Sequence, residues 1–533
     1  MRDPGETCDR YTPCMRRPGF ILLIALLALA PGCGDGAAGT ESAAPLTPAH
    51  ASVGPAPQDA TQKRSGAAGR AEGSTTAPAG APATSRSATQ AEVRSHPNIL
   101  FILADDQAAR TLGVDGNPHI RTPNIDRLAA EGTYFTRCYV PLPQCAPSRA
   151  ALLTGRYPHA IGAMSNIQKA LPPDVVTLAH ALKRAGYRCG MIGKWHQGDP
   201  LKPQAGFEDF WCTRDKDASG WNDKHTNSVL VVNGERRRHE GWLDDALTDY
   251  ALRFIDADDG RPFFLWLAFF APHEPFTPPS DPRFAYDPQD VPLPESIRDD
   301  LSGKPPQQRQ SVCHRWYRQL GEGRLRQQIA AYYSMISALD ANVGRLVEHL
   351  GSRGLERDTL VVYLSDNGWL NGEHQLRSKG PMLYEELVRM PLILRQPGVV
   401  PAGRKVAALV SSLDLYPSLA ARAGAPPPQP LDGLDLWPLV VGGARQLRDA
   451  VFLEFLEKGS TGDVEPMLGV VTRTHKYTRY LHGGDEELYD LTADSLEMRN
   501  LAASPEASAA LVQHRELVDD FAKSIREPFW KRE

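Results

Sequence analysis

The chain has no excess of basic residues, no apolar run long enough to cross a bilayer and, between residues 34 and 95, almost nothing to bury. Its 59 Lys and Arg face 64 Asp and Glu, a net charge of −5, with the signs mixed throughout. That balance offers no basic footprint for nucleic acid; a polyanion-binding surface is not indicated, and any anion recognition has to be local. Residues 34–95 hold no aromatic side chain and only Leu46, Val53 and Val93 as large aliphatics. Repeated Ala, Gly, Ser, Thr and Pro cannot offset chain entropy by burial, so this stretch reads as a disordered linker. With 8 cysteines in 533 residues, a small disulfide scaffold is excluded as well. What remains, residues 96–533, is too long for one small core and suits a large domain with a smaller one attached.

The apolar run at residues 20–30 (FILLIALLALA) follows Arg16 and Arg17, the arrangement of a secretory signal. Met15 opens a compact basic segment and is read as the true initiator. Pro31-Gly32-Cys33 resembles a bacterial lipoprotein box with Cys33 as the lipidated residue, and the linker after it serves as a tether. The expected location is the bacterial cell envelope or periplasm, lipid-anchored through Cys33, with ordinary secretion as the alternative. Apart from Cys8, Cys14 and Cys33, five cysteines are left: Cys138, Cys145, Cys189, Cys212 and Cys313. An odd number in an oxidising compartment leaves one to be explained, and the other four are enough for two disulfides.

From Pro97 onward apolar runs alternate with amphipathic helical patterns, which predicts an α/β fold with a largely buried, mostly parallel sheet flanked by helices. Strands are expected at residues 99–104, 187–192, 263–270 and 360–364, and helices at 124–131, 177–185 and about 326–350, with another near 507–521. Residues 1–33 are assigned to the signal, 34–95 to the linker, 96–440 to the main domain and 441–533 to a small α+β C-terminal domain.

Four strand ends release polar residues: Asp105 and Asp106, Lys194 and His196, His273, and Asp366 with Asn367. Ligands of open α/β sheets sit beyond the carboxyl ends of the strands, so these loops can share one pocket. Three carboxylates and an amide form an oxygen donor set suited to Ca²⁺ or Mg²⁺. Without a cation they would repel one another.

Residues 143–149 (PQCAPSR) form a proline-bounded turn before a helix, and Cys145 is the natural odd cysteine. Here the chain resembles the type I sulfatases of the alkaline phosphatase superfamily. Their C-x-P-x-R signature is complete in Cys145, Pro147 and Arg149, and residues 153–156 (LTGR) continue it. The second motif is recognisable in residues 186–196 (GYRCGMIGKWH), with Cys189 where Ser or Thr is common. The resemblance runs over about residues 97–502, through Ala271-Pro272-His273, Ser365-Asp366-Asn367-Gly368, Gly372-Glu373-His374, Ser378-Lys379-Gly380 and residues 487–491 (ELYDL).

The resemblance implies an alkaline phosphatase-like fold and conversion of Cys145 to Cα-formylglycine by a maturase acting before folding. It further implies a hydrated aldehyde, one of whose hydroxyls coordinates a divalent ion, Ca²⁺ in the first place with Mg²⁺ as the alternative. Asp105, Asp106, Cys145, Asp366 and Asn367 match the family's metal ligands, with Asp366 also the base for the attacking hydroxyl. Lys194, His273 and Lys379 match residues that hold the sulfate and protonate the leaving oxygen. Arg149 matches the residue that orients position 145, and His196 the base that expels sulfate. A sulfated glycan or polysaccharide is the preferred substrate. Aryl or alkyl sulfates, then a phosphatase or phosphodiesterase of the same superfamily, are the alternatives, and a sulfated-glycan-binding lipoprotein is the non-enzymatic one. Trp195 and Trp369 are expected to pack rather than bind sugar, and His374 to be either a substrate contact or a loop residue.

Overall fold

Every residue of Asn98–Ala104 is buried, and its alternate side chains enter two different cores. Ile99, Phe101 and Leu103 face one, Leu100, Ile102 and Ala104 the other. A strand with no polar face belongs in the middle of a sheet covered on both sides. This is the case in the computed structural model of the protein, which describes residues 95–166, 170–219, 224–456 and 465–525.

The strands, in chain order, are β1 (Asn98–Ala104), β2 (Thr133–Tyr139), β3 (Arg188–Gly193), β4 (Phe210–Arg214), β5 (Val229–Val232), β6 (Glu235–Arg238), β7 (Phe263–Ala268), β8 (Thr359–Ser365), β9 (Leu370–Asn371), β10 (Arg377–Ser378), β11 (Arg389–Arg395), β12 (Arg404–Val406), β13 (Val410–Ser411), β14 (Ala450–Phe455), β15 (Met467–Thr472), β16 (His475–Tyr480) and β17 (Glu486–Asp490). An eleven-stranded sheet runs β12-β2-β11-β8-β1-β7-β3-β4-β5-β6, with β13 also on β2. Its centre, β8-β1-β7-β3-β4, is parallel. Antiparallel β11 lies between β8 and β2, and antiparallel β5 and β6 close the other edge.

Helices Cys145–Thr154, Leu178–Arg184 and Leu415–Arg422 cover one face. Helices Pro123–Ala130, Leu243–Asp256 and Glu322–Ser352 cover the other. The last of these, expected at 326–350, is longer by a turn at its N-terminal end. Strand β7 stops at Ala268 rather than at 270, which frees the two phenylalanines to begin the loop toward His273.

The C-terminal part carries an antiparallel sheet, β14-β15-β16-β17. On one face Val470, Tyr477 and Leu488 meet Leu511, Val518 and Phe521 of helix Ser508–Ser524. On the other, Val451, Leu453, Met467 and Val471 pack with Tyr139, Leu142, Leu383 and Val388 of the main domain. Within this contact the buried Lys476 ammonium lies 2.5 Å from Glu497 and 3.4 Å from Glu385.

The expectation of two disulfides is corrected. Cys138, Cys145, Cys189, Cys212 and Cys313 are all free and buried. They lie on separate elements: Cys138 and Cys189 in the core on one side of the sheet, Cys212 in the core on the other, and Cys313 beneath the C-terminal sheet. The four other than Cys145 act there as small apolar side chains, so parity of the count carries no pairing information. The signal, Met15, the box at Cys33 and the linker lie outside the described residues. Among the described residues no helix is long and apolar enough to cross a membrane.

Candidate active site

Because β8, β1, β7 and β3 are adjacent and parallel, their carboxyl ends open on one edge of the sheet, although Asp106 and Asn367, which meet there, are 261 positions apart. Two local devices fix the loops. Gly193, with φ +106°, ends β3 so close to β7 that a Cβ would lie 1.8 Å from the Ala268 carbonyl; the next amide, of Lys194, donates to that carbonyl at 2.8 Å. Asp106 takes a left-handed φ of 70°, a conformation that costs a non-glycine residue on the order of 1–3 kcal/mol and persists where surroundings enforce it. Its amide donates to Asp366 Oδ1 at 3.1 Å and its carbonyl accepts from the Tyr332 hydroxyl at 2.7 Å.

Cys145 is the first residue of its helix, fully buried, after an extended Gln144. Its Sγ lies 3.2 Å from Asp105 Oδ1, 3.7 Å from Asp106 Oδ1, 3.2 Å from Lys194 Nζ and 2.5 Å from Lys379 Nζ. Lys194 also pairs with Asp105 Oδ2 at 2.5 Å, and Lys379 with Asp106. Arg149, one turn along the same helix, donates through Nε to Asp366 Oδ2 at 2.8 Å and through a terminal nitrogen to the Lys194 carbonyl at 2.7 Å. The Asn367 amide nitrogen donates to Asp106 Oδ1 at 2.6 Å. The structure thus brings together Asp105, Asp106, Cys145, Arg149, Lys194, His273, Asp366, Asn367 and Lys379.

Burial would raise Asp105, yet the charges of Lys194 and Arg149 hold it well below the usual carboxylate range. Burial lifts Asp106 to about 6 despite Lys379, with Asp105 and Asp366 adding to the rise. The Cys145 thiol is pushed far up, first by burial and then by Asp105 and Asp366, so a free thiol here stays protonated and is a poor nucleophile. His196, also in a left-handed conformation with φ 60°, is held well below the usual histidine range by burial and by the charges of Lys194 and Arg149. It is a neutral imidazole whose buried Nδ1 makes no hydrogen bond among the described residues. His273 is likewise kept neutral, by burial and then by Lys224; its Nε2 lies 3.7 Å from Asp106 Oδ2.

The donor set fits a hard divalent cation. Asp105, Asp106, Cys145 and His273 each offer a ligand atom, all within 4.8 Å of one another. Asp106 Oδ2 and Asn367 Oδ1 are buried with no hydrogen-bond donor among the described residues. Orphaned buried oxygens beside competing carboxylates are what a cation satisfies.

Two residues of this region escaped the sequence reading. Lys224 lies with Nζ 2.6 Å from His273 Nδ1 and 2.8 Å from the Glu274 carbonyl; burial and the charge of Lys194 lower it to about 7. Asp244, at the start of helix Leu243–Asp256, accepts the amides of Phe270 and Ala271 at 3.1 and 2.9 Å and so holds the approach to His273. No local pattern set either apart. Trp195 packs against Phe207 and Trp211, and Trp369 against Phe276, as expected. His374 is a buried loop residue, paired with Asp299 at 2.8 Å and stacked on Tyr384.

A model of the sulfatase family matches residues 97–425, and one of the N-sulphoglucosamine sulphohydrolase C-terminal region matches residues 372–524. The chain belongs to the sulfatase family. It is a sulfuric ester hydrolase of the alkaline phosphatase superfamily. It is 27% identical to an N-acetylglucosamine-6-O-sulfatase of Bacteroides thetaiotaomicron over 82% of this chain and 88% of that protein. To human arylsulfatase A the identity is 32%, over 75% of this chain and 77% of the relative. Among solved structures, one in complex with its substrate D-glucosamine-2-N,6-O-disulfate superposes with a TM-score of 0.75 at 26% identity, over 82% of this chain and all of the other. A phosphonate monoester hydrolase of Agrobacterium radiobacter gives 0.68 at 25% identity, over 81% and 96%.

Proposed function

We propose that the protein removes sulfate from a sulfated glycan, with residue 145 acting as Cα-formylglycine. The observation that carries this reading is the position of Cys145: buried at a helix N-terminus, between two lysines and two carboxylates, where an unmodified thiol would be inert. The glycan class is supported by relatives named for such substrates, including an ulvan-active sulfatase of Formosa agariphila and the disulfated glucosamine complex.

In this reading Asp105, Asp106, Asp366, Asn367 and residue 145 hold one divalent ion, Ca²⁺ by preference over Mg²⁺, which when bound supplies positive charge beside the reacting oxygens. The hydrated aldehyde carries two hydroxyls. One loses its proton to Asp366 and attacks sulfur, while the sulfur–oxygen bond to the sugar breaks. Lys194, His273 and Lys379 hold the sulfate oxygens and supply the proton that the leaving oxygen takes up. The sulfate is then an ester of residue 145. Neutral His196 accepts the proton of the second hydroxyl, the carbonyl reforms, the carbon–oxygen bond breaks and sulfate departs; water rehydrates the aldehyde. Arg149 holds Asp366 and the loop of Lys194 in register throughout. A serine at 145 has no second hydroxyl and would stop at the ester.

Mass spectrometry of the peptide spanning residue 145 tests this directly. Loss of sulfur and gain of a carbonyl oxygen are expected, together with four titratable thiols in denatured protein comprising residues 95–533, from the five cysteines there. Active enzyme with an intact thiol at 145 overturns the mechanism. Turnover of aryl phosphate or phosphonate in preference to aryl sulfate overturns the assignment of sulfate and favours the phosphonate hydrolase-like reading that the 0.68 superposition allows.

A further inference from the structure

Away from the site, a cleft of about 530 Å³ lies between the β12 edge of the large sheet and the turn joining β15 to β16. Arg137, Arg404, Lys405, Arg445, Arg448 and Arg473 line it. They come from four segments far apart in the chain, so the fold concentrates here what the overall charge of −5 averages away. Arg448 is neutralised by the buried Asp414. Arg137 is fixed by the carbonyls of Thr472 and Arg473, at 2.8 and 2.7 Å. Arg404, Lys405, Arg445 and Arg473 have no ion-pair partner among the described residues, and Asp449 is the single acidic side chain in the lining.

Four uncompensated cations around one concavity draw in an anion of extended charge. No aromatic side chain lines the cleft, so the base-stacking surface on which single-stranded nucleic acids rely is missing. Val406, Leu409 and Leu439 give it an apolar floor. In the sheet order β12-β2-β11-β8-β1 the cleft's edge strand stands four places from β1, roughly 19 Å at the usual strand spacing. A single sugar cannot touch both places; a polymer can.

We infer that this cleft is a second binding site for a polysulfated polysaccharide chain, which it tethers while the reaction site works on another part of the same chain. The inference deepens the proposed desulfation of glycans and rests on it for the choice of ligand. Tethering raises the local concentration of sulfate esters without altering the chemical step.

The test is calorimetric binding of size-fractionated dextran sulfate to the wild-type protein and to a variant combining Arg404→Gln, Lys405→Gln, Arg445→Gln and Arg473→Gln. Wild-type affinity is expected to fall with added salt, and the variant to bind about tenfold or more weakly with unchanged turnover of a small aryl sulfate. A second variant, with Arg404→Lys, Arg445→Lys and Arg473→Lys, keeps the charge and is expected to keep the binding. Equal binding by wild type and the Gln variant overturns the site; equal affinity of the wild type for duplex DNA of matched charge overturns the choice of polysaccharide. Absence of aryl sulfate turnover in the wild type would instead count against the catalytic reading, and leaves the binding result standing.

Discussion

Two buried ionic clusters in this molecule look alike in composition and differ in where the fold places them. Beneath the C-terminal sheet, Glu385 has Lys476 at 3.4 Å on one oxygen and Arg389 and the Tyr139 hydroxyl, both at 3.2 Å, on the other. Lys476 also reaches Glu497, and Glu497 in turn accepts the Glu385 amide at 2.7 Å. At the sheet edge, Asp105, Asp106 and Asp366 are likewise matched against Lys194, Lys379 and Arg149, yet Asp106 Oδ2 and Asn367 Oδ1 remain without a donor among the described residues. The first cluster joins two parts of the fold. The second keeps oxygens in reserve and sits where four strand ends converge. Glu497 Oε1 also lacks a hydrogen-bond donor among the described residues, although Lys476 lies against it, so neither buried charge nor an orphaned oxygen marks a reaction site by itself; their coincidence with converging strand ends does.

The sharpest way to break this comparison is to exchange the consequences. Asp106→Asn is expected to cut kcat/KM for an aryl sulfate by about 10³-fold or more, since in the proposed mechanism it would remove an anionic metal ligand. It should not destabilise the chelated protein at pH 7.5. The sign follows from the raised pKa: between about 4 and 6 the unfolded chain gives up this proton before the folded one, so folding stability is lost as pH rises through that window and the deficit persists above it. Amide in place of carboxylate relieves it. A melting temperature well below wild type in EDTA would show that Asp106 belongs to the structural kind of cluster.

Lys476→Met should do the opposite. It leaves Glu385 and Glu497 buried with less compensation, a change that costs about 3–5 kcal/mol when a buried pair loses one partner. Denaturant unfolding measures that loss, and turnover per folded molecule is expected to stay at the wild-type level. A fall in kcat with unchanged stability would erase the distinction between the two clusters.

Removal of divalent ions by EGTA is expected to abolish turnover and lower the melting temperature, with both restored by added Ca²⁺. At a hundredfold excess over the dissociation constant the ion contributes about 2.7 kcal/mol. An unchanged melting temperature across that titration would mean that the unspent oxygens hold no ion.

The smallest expected effect belongs to Lys224→Met. Lys224 touches His273 rather than position 145, so its loss should misplace or retune that imidazole and reduce kcat/KM by about 10- to 100-fold. The acid limb of the pH–rate profile should shift with it, because Lys224 lowers His273 in the folded protein. A rate loss with an unmoved pH profile would reduce Lys224 to a packing residue.

The cluster at the sheet edge was largely legible before any coordinates. Asp105, Asp366 and Lys194 follow continuous apolar runs, and such runs announce buried strands whose ends lie within a residue or two of the observed ones. Cys145, Pro147 and Arg149 carry a spacing specific enough to stand without neighbours. Lys224 and Asp244 lie in segments without such punctuation, and their meaning comes from His273, 49 and 29 positions away. The cysteine count misled because burial in an apolar core needs no partner.

Local sequence by itself determined that the chain is an α/β protein, which strands are wholly buried, where each loop begins and which residue types reach its tip, because apolar periodicity and backbone chemistry act over a few residues. Only the tertiary structure decided that β8, β1, β7 and β3 are neighbours, that Lys224 stands behind His273, that the cysteines on separate elements are buried and unpaired, and that basic residues from four segments share one cleft. Those outcomes depend on strand order and on charges meeting across hundreds of residues, and electrostatic energy depends on distance through space, not along the chain.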